Sequence, residues 1–334
     1  MGDPRVGIGL PTHNGERYLR ETLDALLAQD YPNFRLLISD NASTDTTAEI
    51  CRQVAGADDR VTYRRLDENI GAVANFRSVF ELTSGPYFMW AGDDDRWDPS
   101  YVRRCVDALE ADHRAVMAST GLRFIDEAGD VLDRDYGIYD NPDLSSASVT
   151  ERVGALVRRG GWYQVYGLAR RDALERTGPL RDVYGWDVVL LTKLALLGPI
   201  VKVPEVLFWF RQYEARTEDD RVRRQGHVTD DARVLRAKYT HLQESLTAVV
   251  TTCGLPLAQR SALATDIMRA AYLEDTPLSR HARKELTTRM RLAVADRDVA
   301  GFVKFAVLAG TVGLERSAGR ARRRARKLAA HARR

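Results

Sequence analysis

The chain has 334 residues, of which 44% are hydrophobic and 29% charged, a balance that excludes wholesale disorder and allows one large domain with an appendage. Its net charge of +3 is uneven, because nine Lys and Arg residues and one acid fall within 315–334 and leave the remainder near −5. A slightly acidic body is not typical of nucleic-acid-binding proteins, so we predict no nucleic-acid partner.

In chain order, the first third alternates between strand-like and helix-like patterns. The apolar runs predict strands at 6–10, 34–38, 61–65, 87–90 and 115–119, and the intervening patterns predict helices at 18–29, 46–54, 72–82 and 99–110. Thr46 and Glu49 have the spacing of a capping box at the second helix. This alternation predicts an α/β fold with a mostly parallel sheet flanked by helices.

The remainder of the chain is less regular. Residues 125–150 are loop-rich and predict a mobile segment over a cleft. Strand-like runs return at 164–168 and 200–210, around a helical pattern at 187–197, and the periodicity is helical from about 228 onward. We therefore predict a domain over 1–225 and a helical C-terminal region over 226–334 that ends in the basic tail.

The cysteines and the termini indicate where the protein resides. Cys51, Cys105 and Cys253 are widely separated and match no metal-ligand spacing, which favours reduced thiols in a cytoplasmic protein without a signal peptide. An apolar run at 302–314 precedes the basic tail directly, so we predict peripheral association of 302–334 with the inner face of an anionic membrane. A core-packing helix followed by a solvated tail is the alternative.

Polar clusters follow three of the predicted strands where each strand ends. They are Thr12-His13-Asn14, Asp40-Asn41 and Asp93-Asp94-Asp95. Ligands of open α/β sheets bind outside the carboxyl ends of the strands, so one cleft is expected to gather all three clusters. The acidic triplet suits a hard cation such as Mg²⁺ or Mn²⁺ together with diphosphate oxygens, although a solvated loop has the same composition.

The N-terminal third resembles family 2 glycosyltransferases of GT-A fold, a Rossmann-like α/β fold. The resemblance spans about residues 5–110, with a weaker match to about 213, and rests on the order and spacing of these pieces: Pro11-Thr12-His13-Asn14, 19–29, 39–45, Asn69-Ile70-Gly71 and the Asp triplet. It implies an inverting, metal-dependent enzyme that uses a nucleotide-sugar donor.

The resemblance also implies a donor-nucleotide site. Pro11, Thr12 and Asn14 would border the base and ribose, and Asp40 would accept a hydrogen bond from the base. Asp93 would lie next to the ribose. A strand-ending Asx-turn is the structural alternative for Asp40, and the two roles are compatible.

For the cation, the resemblance implies Asp94 as a ligand, with Asp95 as the second candidate. Gly92 stands where the family frequently has its first acid, so the choice of pair within Asp93, Asp94 and Asp95 stays open. The cofactor is expected to be Mn²⁺ or Mg²⁺.

Asp187 is the candidate catalytic base, because the family places a carboxylate at this point to take the proton of the acceptor hydroxyl. The alternative is that Asp187 merely caps the helix it begins. Trp186, where many relatives have Glu, would offer an apolar face to a sugar or belong to the core.

Two later residues are candidates for contacts with diphosphate or acceptor. Arg211 matches a basic residue that relatives place near the diphosphate, although no histidine follows it here. Trp162 would contact the acceptor or belong to an aromatic core.

The sequence therefore predicts an inverting glycosyltransferase with a UDP- or dTDP-linked donor and an acceptor hydroxyl in glycan, glycolipid or natural-product biosynthesis. The alternative is a catalytically silent nucleotide-sugar-binding protein of the same fold, favoured by Gly92 and by the missing glutamate before Asp187. A homodimer is an open alternative to a monomer.

Overall fold

A computed structural model describes residues 5–132, 142–159, 162–183 and 185–213, together with scattered positions between 244 and 267. The chain divides into two compact units, Met1–Val228 and Thr229–Arg334. In the second unit the described positions are mostly helical, and Val249 and Leu263 are buried. The predicted boundary at 225/226 and the predicted membrane segment 302–334 lie outside the described residues.

The first unit contains eight strands and seven α-helices among its described residues. The strands are β1 (Val6–Thr12), β2 (Phe34–Asp40), β3 (Val61–Arg65), β4 (Tyr87–Trp90), β5 (Arg96–Trp97), β6 (Met117–Ile125), β7 (Leu168–Arg170) and β8 (Ile200–Arg211). The helices are α1 (Leu19–Leu27), α2 (Thr47–Ala57), α3 (Ala72–Leu82), α4 (Tyr101–Ala111), α5 (Val149–Arg159), α6 (Arg171–Arg176) and α7 (Trp186–Leu197).

The strands form one sheet in the order β3-β2-β1-β4-β7-β6-β8-β5. The pairs β2–β3, β1–β2, β1–β4 and β6–β8 are parallel, whereas β7 and β5 run antiparallel to their neighbours. Six strands therefore point the same way, which confirms the predicted α/β fold with a mostly parallel sheet flanked by helices.

The central strand β1 is buried along its whole length because helices cover both faces of the sheet. On one side, Leu19, Leu23 and Leu26 of α1 are fully buried. On the other side α3 lies so close that a Cβ at Gly9 would be 2.7 Å from Val79 Cγ2. The glycine in β1 therefore allows α3 to approach the sheet closely.

The predicted capping box between Thr46 and Glu49 is wrong, because Thr46 pairs with Glu16. Helix α2 does begin after Thr46, but no side-chain hydrogen bond of Thr46 caps it. Instead, the Glu16 carboxylate accepts from the Thr46 backbone N–H at 3.0 Å and from its hydroxyl at 2.7 Å. The cap comes from the loop after β1, so it also ties that loop to α2.

The predicted strand at 164–168 is also wrong, because residues Trp162–Tyr166 form a 3-10 helix and the strand begins at Leu168. In a 3-10 helix residues three apart share a face. Tyr163 and Tyr166 accordingly both pack on Phe210 of β8, with ring centroids at 4.7 and 6.3 Å. Strand β5 and helix α5 were missed by the sequence patterns.

Candidate active site

The loops that follow β1, β2 and β4 meet at the carboxyl edge of the sheet, as predicted. Asn14 adopts a left-handed conformation, with φ 54°. Its N–H donates to Ser43 Oγ at 2.9 Å, and its Oδ1 accepts from Thr44 N at 2.8 Å. Thr12 Oγ1 donates to Asp93 Oδ2 at 2.5 Å. One cleft edge therefore gathers all three polar clusters.

The loop after β3 joins the same arrangement through Asn41. Its Nδ2 donates to Asn69 Oδ1 at 2.9 Å, and its Oδ1 accepts from Ile70 N at 2.9 Å. The carbonyl oxygen of Asn41 is 2.8 Å from His13 Nδ1, which places the proton on that ring nitrogen. Asn41 and Asn69 are thus shape-determining residues to which the sequence assigned no such role.

Asp40 ends β2 with a fully buried carboxylate. Oδ1 accepts from Ser43 N at 2.8 Å, three residues on and not the two of the predicted Asx-turn, and Oδ2 accepts from Tyr63 Oη at 2.9 Å. Arg65 Nε lies 3.6 Å from Oδ2. Pro11 is buried beside this strand, opposite Ser39 in the β1–β2 register.

The three acids of the loop after β4 differ in exposure. Asp93 and Asp94 are half-buried, whereas the Asp95 carboxyl is fully buried. Burial, reinforced by the charge on Asp94, raises the pKa of Asp93 to about 7 and holds the pKa of Asp95 well above its usual range. Burial also raises the pKa of Asp94, against the opposing effect of a hydrogen bond from Tyr213.

The position of Asp95 does not fit the predicted role of metal ligand. Its Oδ1 accepts from the backbone N–H of Arg211 at 2.9 Å, and its Oδ2 has no hydrogen-bond partner among the described residues. Because the Asp95 carboxyl is fully buried, it is not accessible to a cation shared with a ligand in the cleft. Asp93 and Asp94 are the accessible pair of the triplet.

The glycine at 92 has a steric explanation. A Cβ at this position would lie 2.7 Å from Asp95 Oδ2 and 3.3 Å from Asp94 Oδ1. Because Asp95 turns its carboxyl under residue 92, a larger side chain would displace the acids next to it. The buried position of the Asp95 carboxyl therefore requires a glycine at residue 92.

The acidic loop suits a cation that is shared with a ligand. Within the part of the chain that the structure describes, no group of three or more His, Cys, Asp or Glu side chains is arranged to hold a metal ion. Two half-buried carboxylates with oxygen donors nevertheless match Mg²⁺ or Mn²⁺, which need only one or two carboxylates when diphosphate oxygens complete the shell. The residues present thus fit such a cation.

Arg211 does not face the cleft as predicted, because its side chain is 1% exposed and committed to the protein. Nη2 forms an ion pair with Glu21 Oε2 at 2.7 Å, and Nε donates to the Asp94 carbonyl at 2.8 Å. Nη1 donates to the Asp126 carbonyl at 3.0 Å. The guanidinium therefore fixes the acidic loop from behind, and a direct contact with diphosphate does not fit this geometry.

Asp187 lies in the first turn of α7, one residue inside the helix, whose N-cap is Gly185 with φ 68°. The carboxylate accepts from Val188 N at 2.8 Å. Burial nevertheless raises the pKa of Asp187 to about 6. The backbone hydrogen bond favours the ionised form whereas burial opposes it more strongly, and the side chain keeps partial exposure at the start of the helix.

Asp187 and the acidic loop act on a common neighbour, Tyr166. Burial and the negative charges of Asp95, Asp94, Asp187 and Asp93 together hold the pKa of Tyr166 well above its usual range. The geometric link is Trp186, the neighbour of Asp187, which packs on Trp90, three residues before Asp93. The candidate base therefore follows a residue that contacts the strand leading into the acidic loop.

The two tryptophans are mainly packed against other rings. Trp186 lies 5.0 Å from Phe76 and 6.3 Å from Trp90, centroid to centroid. This contact ties the start of α7 to the end of β4, three residues before Asp93. Trp162 lies 3.9 Å from Tyr163 and 5.3 Å from Phe210. Both side chains stay partly exposed.

Tyr213 is a site residue that sequence reasoning missed. Its hydroxyl donates to Asp94 Oδ2 at 2.6 Å. Burial and the charge on Asp94 raise the pKa of Tyr213, which keeps the phenol protonated and able to donate. Within the segment 211–213, only Arg211 matched a residue of the family, and a tyrosine two residues later carries no motif by itself.

The parallel β3-β2-β1-β4 core, with its acids at the carboxyl edge, places the protein in the class of GT-A folds. Residues 8–162 match the family model described as glycosyl transferase family 2, so this part of the chain forms a domain of that family. It is 27% identical over 131 residues to TuaG of Bacillus subtilis, whose name assigns it to teichuronic acid biosynthesis as a glycosyltransferase; the match covers 39% of this chain and 52% of that protein. It is 25% identical over 173 residues to the glycosyltransferase GlyA of Streptococcus pneumoniae, a match that covers 49% of this chain and 24% of that protein.

Two solved structures share the fold. Residues 1–349 of Staphylococcus aureus TarS with UDP-GlcNAc superpose with TM-score 0.63 and 13% identity, covering 91% of this chain and 90% of that one. The mannosyltransferase PcManGT of Pyrobaculum calidifontis with GDP-Man and Mn²⁺ superposes with TM-score 0.54 and 20% identity, covering 94% and 87%. No helix within the described residues is long and apolar enough to cross a membrane.

Proposed function

We propose that this protein is an inverting glycosyltransferase that moves a sugar from a UDP- or dTDP-linked donor to an acceptor hydroxyl. The observation that carries the proposal is the packing of Trp186, next to Asp187, on Trp90, at the end of the strand that leads to Asp93 and Asp94 in a GT-A sheet. Two solved structures of the same fold are complexes with nucleotide sugars, UDP-GlcNAc in TarS and GDP-Man in PcManGT, which supports a nucleotide-sugar donor.

The donor nucleotide would lie against the loops after β1 and β2. Thr12 and Asn14 are held there by hydrogen bonds to Asp93 and Ser43, which supports a preformed ribose and base site. The Asp40 carboxylate is fully buried and receives two internal hydrogen bonds, so it would position the loop that borders the base, and a direct contact with the base would require Tyr63 to move aside. Pro11 would shape the inner wall of this site.

The diphosphate would lie at the accessible acids, Asp94 and Asp93. When bound, a Mn²⁺ or Mg²⁺ ion would offset the charge on the departing nucleoside diphosphate. Asp94, with one oxygen fixed by Tyr213, is suited to hold that ion, and Asp93, fixed by Thr12, is suited to border the ribose.

Asp187 would act as general base on the acceptor hydroxyl. The acceptor oxygen attacks the anomeric carbon, its proton passes to Asp187, and the bond to the diphosphate oxygen breaks with release of the nucleoside diphosphate. A base with a pKa of about 6 is mostly ionised at pH 7 yet remains basic enough to take the proton. One displacement inverts the anomeric configuration and requires no covalent intermediate.

The acceptor is expected to be a hydroxyl of a glycan, a glycolipid or a natural product. The name of TuaG places that relative in teichuronic acid biosynthesis, which favours a glycan acceptor. The partly exposed Trp162 and Trp186 would flank the acceptor sugar with their open edges. Both rings also pack on neighbours, so their contribution to the acceptor site would be limited to those edges.

The two features that favour a silent binder, Gly92 and the missing glutamate before Asp187, each have a packing explanation. Gly92 is accounted for by the buried Asp95 carboxyl, and Trp186 by its packing on Phe76 and Trp90. Incubation of the purified chain with UDP- and dTDP-sugars in Mn²⁺, with simple sugars as acceptors, tests the proposal by release of nucleoside diphosphate. Release that depends on Asp187 is expected. Tight binding of nucleoside diphosphates without release from any donor would favour the silent binder.

A further inference from the structure

The segment Arg211–Tyr213 at the end of β8 holds the acidic loop with three separate hydrogen bonds. Arg211 N donates to Asp95 Oδ1 at 2.9 Å, and Arg211 Nε donates to the Asp94 carbonyl at 2.8 Å. Tyr213 Oη donates to Asp94 Oδ2 at 2.6 Å. The first two bonds fix the backbone and the buried acid, and the third orients the accessible carboxylate itself.

The segment Arg211–Tyr213 is itself held in place by contacts outside the acidic loop. Gln212 N donates to the Ile125 carbonyl at 2.8 Å. The Arg211 guanidinium stacks on the Tyr18 ring at 4.2 Å and pairs with Glu21 of α1. The Tyr213 ring lies 6.1 Å from the Tyr18 ring, centroid to centroid. The Tyr213 hydroxyl therefore approaches Asp94 from a fixed direction.

We propose that Tyr213 is a positioning residue that presents the Asp94 carboxylate to a divalent cation. This inference rests on the proposed function. Hydrogen bonds to the second oxygen of a ligating carboxylate orient the ligand, and their loss typically reduces metal affinity about 10- to 100-fold. With Oδ2 held by the phenol, the lone pairs of Oδ1 are left for the cation. Tyr213 acts through Asp94 and has no role in proton transfer.

The chain offers a matched control in Tyr18. Its hydroxyl is buried and has no hydrogen-bond partner among the described residues, while its ring packs in the same cluster. Tyr213→Phe and Tyr18→Phe each remove one hydroxyl from neighbouring rings. Only the first removes a hydrogen bond to Asp94.

The test measures the affinity for Mn²⁺ by electron paramagnetic resonance, with UDP or dTDP saturating, and the affinity for the same nucleotides in EDTA by calorimetry. Tyr213→Phe is expected to weaken Mn²⁺ binding at least tenfold, Tyr18→Phe to leave it unchanged, and all three proteins to bind nucleotide equally in EDTA. Thermal unfolding of each variant checks that the fold is kept.

Equal or tighter Mn²⁺ binding by Tyr213→Phe would overturn the inference, since the phenol would then be neutral or a competitor of the cation. The inference would also be overturned if Tyr213→Phe lost nucleotide affinity in EDTA by the same factor as it lost Mn²⁺ affinity, because such a loss would indicate general damage to the site. If the wild-type protein binds neither Mn²⁺ nor nucleotide, the proposed function fails together with the inference. If wild type binds both and only the variant comparison fails, the proposed function stands.

Discussion

Replacement of Asp187 by Asn is expected to lower turnover while raising stability, a combination that a capping role does not produce. The two side chains are nearly isosteric, so the start of α7 should keep its geometry. Loss of a general base typically costs about 10²- to 10⁴-fold in rate. Wild-type kcat should also fall about tenfold for each pH unit below about 6, where Asp187 becomes protonated, and the variant should lack this dependence.

The stability gain follows from the same raised pKa. Burial lifts the pKa of Asp187 from 3.8 to about 6, so the folded protein holds this proton more tightly than the unfolded chain does. The folded state is therefore penalised progressively as pH rises from 3.8 to about 6, and above pH 6 the full penalty of about 3 kcal/mol applies. Asparagine does not ionise, so Asp187→Asn should raise the free energy of unfolding at pH 7.5 by up to about 3 kcal/mol.

Asp172 provides the matched control, because it lies at the second position of α6 as Asp187 lies at the second position of α7, but it is exposed. Asp172→Asn should leave turnover unchanged and alter stability by less than about 1 kcal/mol, the usual size of a helix-dipole interaction. Nucleoside diphosphate release and urea unfolding at pH 7.5 measure both quantities. Near wild-type turnover with reduced stability in Asp187→Asn would refute the reasoning and leave Asp187 as a cap.

Three further predictions concern Asp94 and the cation, Gly92 with Gly56 as its control, and the C-terminal tail. Asp94→Ala should abolish turnover with the thermal transition kept, and EDTA should do the same to wild type; full activity in EDTA would exclude the cation. Gly92→Ala should weaken nucleoside diphosphate binding in Mn²⁺ about tenfold, because its Cβ would meet Asp95 Oδ2 at 2.7 Å. Gly56→Ala in α2, where a Cβ would meet nothing within 4 Å, should instead stabilise the protein by about 0.5–1 kcal/mol. Full-length protein should co-sediment with anionic liposomes and protein lacking 302–334 should not; negligible binding by both would remove the membrane hypothesis.

The sequence predicted the parts of the fold that local patterns determine. The apolar run 87–90 became a strand with the predicted bounds, because buried parallel strands are continuous hydrophobic stretches. The gathering of Thr12, Asp40 and Asp93 followed from the shared edge of neighbouring parallel strands. These inferences needed no knowledge of side-chain contacts.

The sequence could not predict which groups of the site are accessible. Asp93, Asp94 and Asp95 are identical residues in a row, and only contacts with Arg211, 116 residues further along the chain, bury Asp95 and leave the other two half-buried. The same distant contact turns Arg211 away from the predicted diphosphate. Burial and long-range pairing of polar groups depend on tertiary packing, which no local pattern carries.

Calorimetry of UDP and dTDP binding to the purified wild-type chain, in Mn²⁺ and in EDTA, tests the central claim most directly. The proposed site predicts binding of at least one of the two nucleotides in Mn²⁺, weakened about tenfold or more in EDTA and in Asp94→Ala. Absence of binding of either nucleotide in Mn²⁺, or binding that neither EDTA nor Asp94→Ala changes, would contradict a cation-dependent nucleotide-sugar site at the acidic loop.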